Sequence, residues 1–159
     1  MEPLIVLVAV TAVLTVARRS PAVALRYGLA AMFLLTGGAH FIGMRAQLIA
    51  MVPPWLPAPD LLVTVTGVLE LLGALGLVLR RTAPWAAAGL TGLLLAMFPA
   101  NVQRALAGTE LPWDDQLLPR TLMQVLFLAA TVAVVVLEVR SRRAVVTAPE
   151  EGGSIGVRS

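Results

Sequence analysis

Five stretches of this chain stay apolar long enough to matter: Pro3–Ala17, Ala22–Phe41, Leu61–Leu79, Ala83–Ala105 and Leu117–Val139. Runs of about 17 to 25 apolar residues have the length of a helix that crosses a bilayer. The pattern therefore predicts an all-α, polytopic membrane helical bundle: a four-helix core plus an additional N-terminal transmembrane helix, five spans in all. The first run is the shortest. Its charges, Arg18 and Arg19, follow the apolar stretch instead of preceding it, and a small-residue cleavage pattern is lacking, so it reads as an uncleaved span and not as a signal peptide. Residues 1–140 form a single transmembrane domain in this reading. Residues 141–159 are polar and Gly-bearing, and are expected to be a disordered cytoplasmic tail.

Two stretches interrupt the simple hairpin pattern. "MVPPWLPAPD", Met51 to Asp60, carries four prolines around one Trp; it is expected to be non-helical and to pack as a lid. "MFPANVQR", Met97 to Arg104, sets Pro99 inside the fourth span, where it removes a backbone donor and frees the carbonyl of Leu95. A break in that helix is expected, against protein or a water-lined cavity.

The polar positions inside the spans are few. Glu70 lies about ten residues from either end of its run, roughly 15 Å deep at 1.5 Å per residue. It shares a helical face with Thr66 and with Gly67, Gly73 and Ala74, small residues that permit close helix approach, so it is expected to point inward. Burial penalises the charged form, so Glu70 is expected to be neutral or hydrogen-bonded to Gln124, Asn101 or water, which makes it a candidate proton donor or acceptor. Thr36 and His40 are four apart near the outer end of the second span. Asn101 and Arg104 follow Pro99, and Arg120 and Gln124 are four apart after Pro119. The candidate ligand-binding set is His40, Thr66, Glu70, Asn101, Arg104, Arg120, Gln124 and Trp55, all in the outer half or at the midplane. The inner half is expected to hold no matching set. Plainer readings stand beside these: His40 satisfied by water or a backbone carbonyl, Arg104 and Arg120 as snorkelling arginines, Trp55 as an interface anchor, Asn101 as a patch for the proline break.

Charge sets direction. Arg18, Arg19, Arg80, Arg81, Arg140, Arg142 and Arg143 gather at one end, with Arg26 just inside the second span. Glu2, Asp60, Glu110, Asp114 and Asp115 fall at the other, against Arg45, Arg104 and Arg120. The positive-inside rule then places the N-terminus outside and the C-terminus in the cytoplasm of a plasma (inner) membrane. Tyr27 and Trp85 fall at the inner interface, Trp55 and Trp113 at the outer.

Composition narrows the chemistry. At 58% hydrophobic, 13% charged and a mean hydropathy of +0.88 over 159 residues, the chain has more apolar surface than one soluble core can bury. The isoelectric point near 11.0 follows from the topological arginines and not from a nucleic-acid partner. All the positive side chains are arginine, and the Ala/Val/Gly/Arg bias fits a GC-rich bacterial coding sequence. No cysteine is present, which removes disulfides, cysteine nucleophiles and iron–sulfur ligation. A single histidine builds no multi-histidine zinc or di-iron site, and no metal site is expected. His40 and Met44 lie on one helix and so do not bracket a haem. The glycines form no phosphate-cradling loop.

"LTGGAHFIG" (Leu35 to Gly43), "MVPPWLP", "TGVLELLGALGLVLRR" (Thr66 to Arg81) and "AMFPANVQRAL" (Ala96 to Leu106) together resemble the DoxX-like small membrane proteins, over about residues 22–139. The resemblance implies a compact four-helix membrane bundle associated with quinone-linked redox systems or with thiol and superoxide defence. It marks His40, Glu70 and Asn101 as family-like polar positions. The chain departs from Cys-bearing relatives in having no thiol chemistry.

The expected function is to bind a quinone- or lipid-like hydrophobic ligand in an outward-facing intramembrane pocket, as a redox-associated or accessory subunit. No intrinsic cofactor is expected beyond such a quinone. Expected partners are the bilayer, the hydrophobic small molecule, a redox enzyme subunit and a second copy of the chain through its Gly-rich faces. Two alternatives remain open: a cofactor-independent membrane enzyme of the proton-shuttling isomerase type using Glu70, and a structural or chaperone-like protein without a small ligand. A transporter is disfavoured, because the polar set does not reach the cytoplasmic half.

Overall fold

Prolines mark where long helices begin, since the N–H that proline lacks has no partner in a first turn. The computed structural model describes residues 2–106 and 117–146. Among them are six helices: α1 (Glu2–Val16), α2 (Pro21–Ala39), α3 (Arg45–Met51), α4 (Pro59–Val78), α5 (Ala83–Leu106) and α6 (Leu117–Val146). Pro21 opens α2 behind Ser20, whose hydroxyl accepts from the N–H of Val23, and Pro59 opens α4. The turn after α2 passes through Gly43 at φ +77°, a conformation glycine adopts without steric cost.

Helices α2, α4, α5 and α6 are each long and apolar enough to cross a membrane. Together they make a membrane helical bundle, apolar outside as well as inside. Leu29, Met32 and Phe33 of α2 meet Ala74 and Leu77 of α4, Ala87, Leu90 and Leu94 of α5, and Val134 of α6 in one buried core. Leu34, Leu72, Leu95 and Val132 face outward on the same helices. Neighbours run antiparallel. Gly37 abuts Glu70 where Gly67 abuts His40, and Gly73 abuts Leu90 where Gly76 abuts Ala86. Helix α6 closes the ring against α2. Helix α1 lies outside this ring against α2, where a side chain at Gly28 would collide with Thr11.

Several expectations need correction. Helix α5 runs unbroken through Pro99. Only one backbone donor is missing there, and α6 packs against α5, the setting in which a membrane helix tolerates an internal proline. The segment before the proline loop is the short helix α3, which packs against α4 and α5; the non-helical stretch is confined to residues 52–58. Helix α6 also passes Val139 and takes in the first residues of the expected tail, up to Val146. There Ser141 donates to the carbonyl of Glu138, and Arg142 donates to the carbonyls of Arg80 and Arg81 at 2.9 and 2.8 Å. The expectations for Glu110, Trp113, Asp114, Asp115 and residues 147–159 fall outside the described residues.

Candidate functional site in the helix interior

Glycines let α2 and α4 approach until their polar side chains meet. A Cβ at Gly67 would sit 2.5 Å from the Cβ of His40, and one at Gly37 would sit 3.1 Å from that of Glu70. Across this seam Thr36 Oγ1 donates to Glu70 Oε2 at 2.6 Å, and Glu70 is only 3% exposed. The acid therefore faces inward, and its partner is Thr36 on the facing helix. Thr66, expected beside it, turns its hydroxyl to the carbonyls of Leu62 and Val63 on its own helix.

One turn from Thr36, the buried His40 hydrogen-bonds through Nδ1 to the Thr36 carbonyl at 2.9 Å. A carbonyl only accepts, so Nδ1 carries the proton, and Nε2 of the neutral ring is left as a lone pair. Arg45 continues the line. Its guanidinium donates to the carbonyls of His40 and Asp60 and to Thr64 Oγ1, and lies 3.9 Å from the Asp60 carboxylate. A polar seam thus rises from Glu70 through Thr36, His40 and Arg45 to Asp60, whose side chain is 74% exposed.

Asn101, Arg120 and Gln124 form a second group on α5 and α6. Arg120 donates to Asn101 Oδ1 at 3.0 Å, Asn101 Nδ2 to Gln124 Oε1 at 2.8 Å, and Gln124 Nε2 to the carbonyl of Leu94 at 2.6 Å. Every link is a donor meeting an acceptor, and the chain ends on α5's backbone a turn before Pro99. Arg120 also reaches Met51 Sδ at 3.9 Å, tying α3 to α6. Glu70 is bonded to none of this group. Arg104 is half-buried in the last turn of α5, and Trp55 is 70% exposed on the proline loop.

The arginine-rich half holds a feature that corrects the sequence reading. Arg26 of α2 and Glu138 of α6 form an ion pair at 3.1 Å, both side chains 7% exposed. Arg26 Nε is buried without a partner, and its guanidinium lies 5.4 Å from the Tyr27 ring centroid. The signal was present as two opposite charges, each within about two turns of a span's arginine-rich end. Further towards the bundle's middle, Thr91 donates to the fully buried Thr131, linking α5 to α6.

Four long apolar helices enclosing an acid, an imidazole, hydroxyls and an ion pair define a small membrane bundle with a polar interior. Within that class, the chain belongs to the family described as domain of unknown function (DUF8561), whose model matches residues 29–137, from α2 to near the arginine-rich end of α6. No curated protein and no solved structure matches the chain.

Proposed function

We propose that the protein binds a quinone- or lipid-like hydrophobic molecule, with the molecule's polar head held by Thr36, His40 and Glu70, and serves as an accessory subunit to a redox enzyme. The observation that carries this reading is the 2.6 Å bond between Thr36 and a Glu70 that is 3% exposed. A carboxyl at that depth is costly to keep, and intramembrane ionisable groups mark ligand or proton sites. The seam from Glu70 to Asp60 sets a line of hydrogen-bonding groups between the buried acid and the exposed end of the bundle. Asn101, Arg120 and Gln124 are occupied with one another and with α5, so the contact set narrows to the α2–α4 seam. The resemblance to DoxX-like proteins supports the redox association.

In the same reading the arginine-rich end faces the cytoplasm of a bacterial plasma membrane. Helix α1, although only 15 residues, serves as a short fifth span supported by its packing on α2.

The test is to purify the chain in mild detergent and identify co-purifying hydrophobes by mass spectrometry. A quinone or lipid-like molecule enriched over a control membrane protein, and depleted several-fold in Glu70→Gln and His40→Ala, is the expected result. No enriched hydrophobe would overturn the proposal. A second reading, proton shuttling on an apolar substrate, is favoured by the same short bond and by the lone pair on His40 Nε2. It requires that Glu70→Gln, nearly isosteric, abolish turnover; unchanged turnover removes it.

A further inference from the structure

Between α4 and α5, on the outer surface of the bundle, lies a groove of about 440 Å³. Leu69, Leu72, Gly76, Gly89 and Leu93 are among its lining residues, and it is separate from the Thr36–His40–Glu70 seam. Along α4 it runs from Leu69 to Leu79, about 15 Å at 1.5 Å per residue, half the thickness of a bilayer's hydrocarbon core. That is the depth of one leaflet.

One end of the groove is charged. Leu79 and Thr82 both line it, and the exposed Arg80 and Arg81 fall between them in sequence. The guanidinium of Arg142 is held against the same turn by its bonds to the Arg80 and Arg81 carbonyls. The exposed Trp85, at the level where indoles settle in lipid headgroups, completes the mouth. An apolar channel one leaflet deep, ending at a turn that carries two exposed arginines and holds the guanidinium of a third, matches a molecule with a long acyl chain and a negative head.

We propose that this groove is a binding site for an anionic phospholipid of the leaflet at the arginine-rich end. One acyl chain lies along Gly76 and Gly89, and the phosphate sits at Arg80, Arg81 and Arg142. Both glycines line the groove: Gly76 is packed against Ala86, and Gly89 borders open space, since a Cβ there would meet nothing within 4 Å.

That open position supplies the test. The full chain in detergent is titrated with phosphatidylglycerol and with phosphatidylcholine of the same acyl chains, and adducts are counted by native mass spectrometry. Phosphatidylglycerol should bind on the order of tenfold more tightly, the scale expected for two or more arginines near an anionic head. Gly89→Leu should fill the channel and weaken binding of both lipids several-fold. The Arg80→Gln, Arg81→Gln double variant should bring phosphatidylglycerol down to the level of phosphatidylcholine. Gly89→Ala adds one methyl in open space and should shift affinity in the same direction as Gly89→Leu, so the test survives if the leucine variant misfolds. Equal binding of the two lipids by the unaltered chain would overturn the proposal, as would unchanged phosphatidylglycerol binding in both Gly89 variants. A lipid-free dimer that Gly89→Leu converts to monomer would also overturn it, because the groove would then hold a second copy of the chain.

Discussion

Arg26 and Glu138 show how much one pair of residues decides. Both are withdrawn from solvent, and a single guanidinium–carboxylate contact at 3.1 Å holds them, with Arg26 Nε left over. A pair taken out of water recovers through mutual attraction much of what burial costs each charge, so removing one partner strands the other. Arg26→Ala or Glu138→Ala is expected to destabilise the protein by about 3 kcal/mol in detergent unfolding, while Arg26→Met with Glu138→Leu should recover most of that loss. A loss in the double variant equal to the sum of the two single losses would show that the pair contributes nothing as a pair. The sequence reading marked Arg26, just inside the second span, and passed over Glu138 near the end of the fifth. It gave no means of pairing them, because they are separated by 112 positions. Thr36 was similarly visible beside His40, yet its bond to Glu70 depended on the rotation of α2 against α4.

At the scale of the element, small residues set the distances between helices. Gly67 admits His40, and a Cβ there would meet the Cβ and Cγ of His40 and the Cε2 of Phe41, just past the end of α2. Gly67→Ala is therefore expected to cost about 1–3 kcal/mol and to loosen the α2–α4 seam, whereas Gly89→Ala should be neutral or stabilising by up to about 1 kcal/mol through helix propensity. Thermal melting of the two variants side by side checks the contrast. Helix α5 depends on its neighbour in another way. Gln124 donates to the Leu94 carbonyl and accepts from Asn101, so Gln124→Ala should cost about 1–3 kcal/mol by leaving buried polar groups unpaired. A loss much below this range would mean that water replaces the amide. The four long helices were legible to within a few residues, apart from the last turns of α6, because hydropathy runs mark them directly. Helix α3 was not, because seven residues carry too little periodicity to stand out beside a proline-rich loop.

For the whole molecule, the antiparallel order of the helices puts Ser20 and Thr82 at one end of the bundle and Pro54 to Ala58 at the other. The absence of cysteine makes this directly measurable, since each introduced thiol is then the sole reactive one. Single cysteines at Ser20 and Thr82 are expected to react with an impermeant maleimide from one side of the membrane, and one at Ala58 from the other. Labelling of all three from the same side would refute the up-and-down arrangement. The arginine-rich end is the one expected to be shielded in intact cells.

What the linear chain determined by itself was the solvent it lives in and the course of the four long helices of its core. Apolar runs, capping prolines and the distribution of arginine act locally or through the bilayer, without reference to which helix touches which. The tertiary structure alone decided which polar groups meet. Glu70 turned to Thr36 and not to Gln124, Gln124 turned to the backbone of α5, and Arg26 found Glu138. A polar group in an apolar interior takes whichever partner packing brings within hydrogen-bond reach, and packing depends on rotation and close approach of helices far apart in sequence.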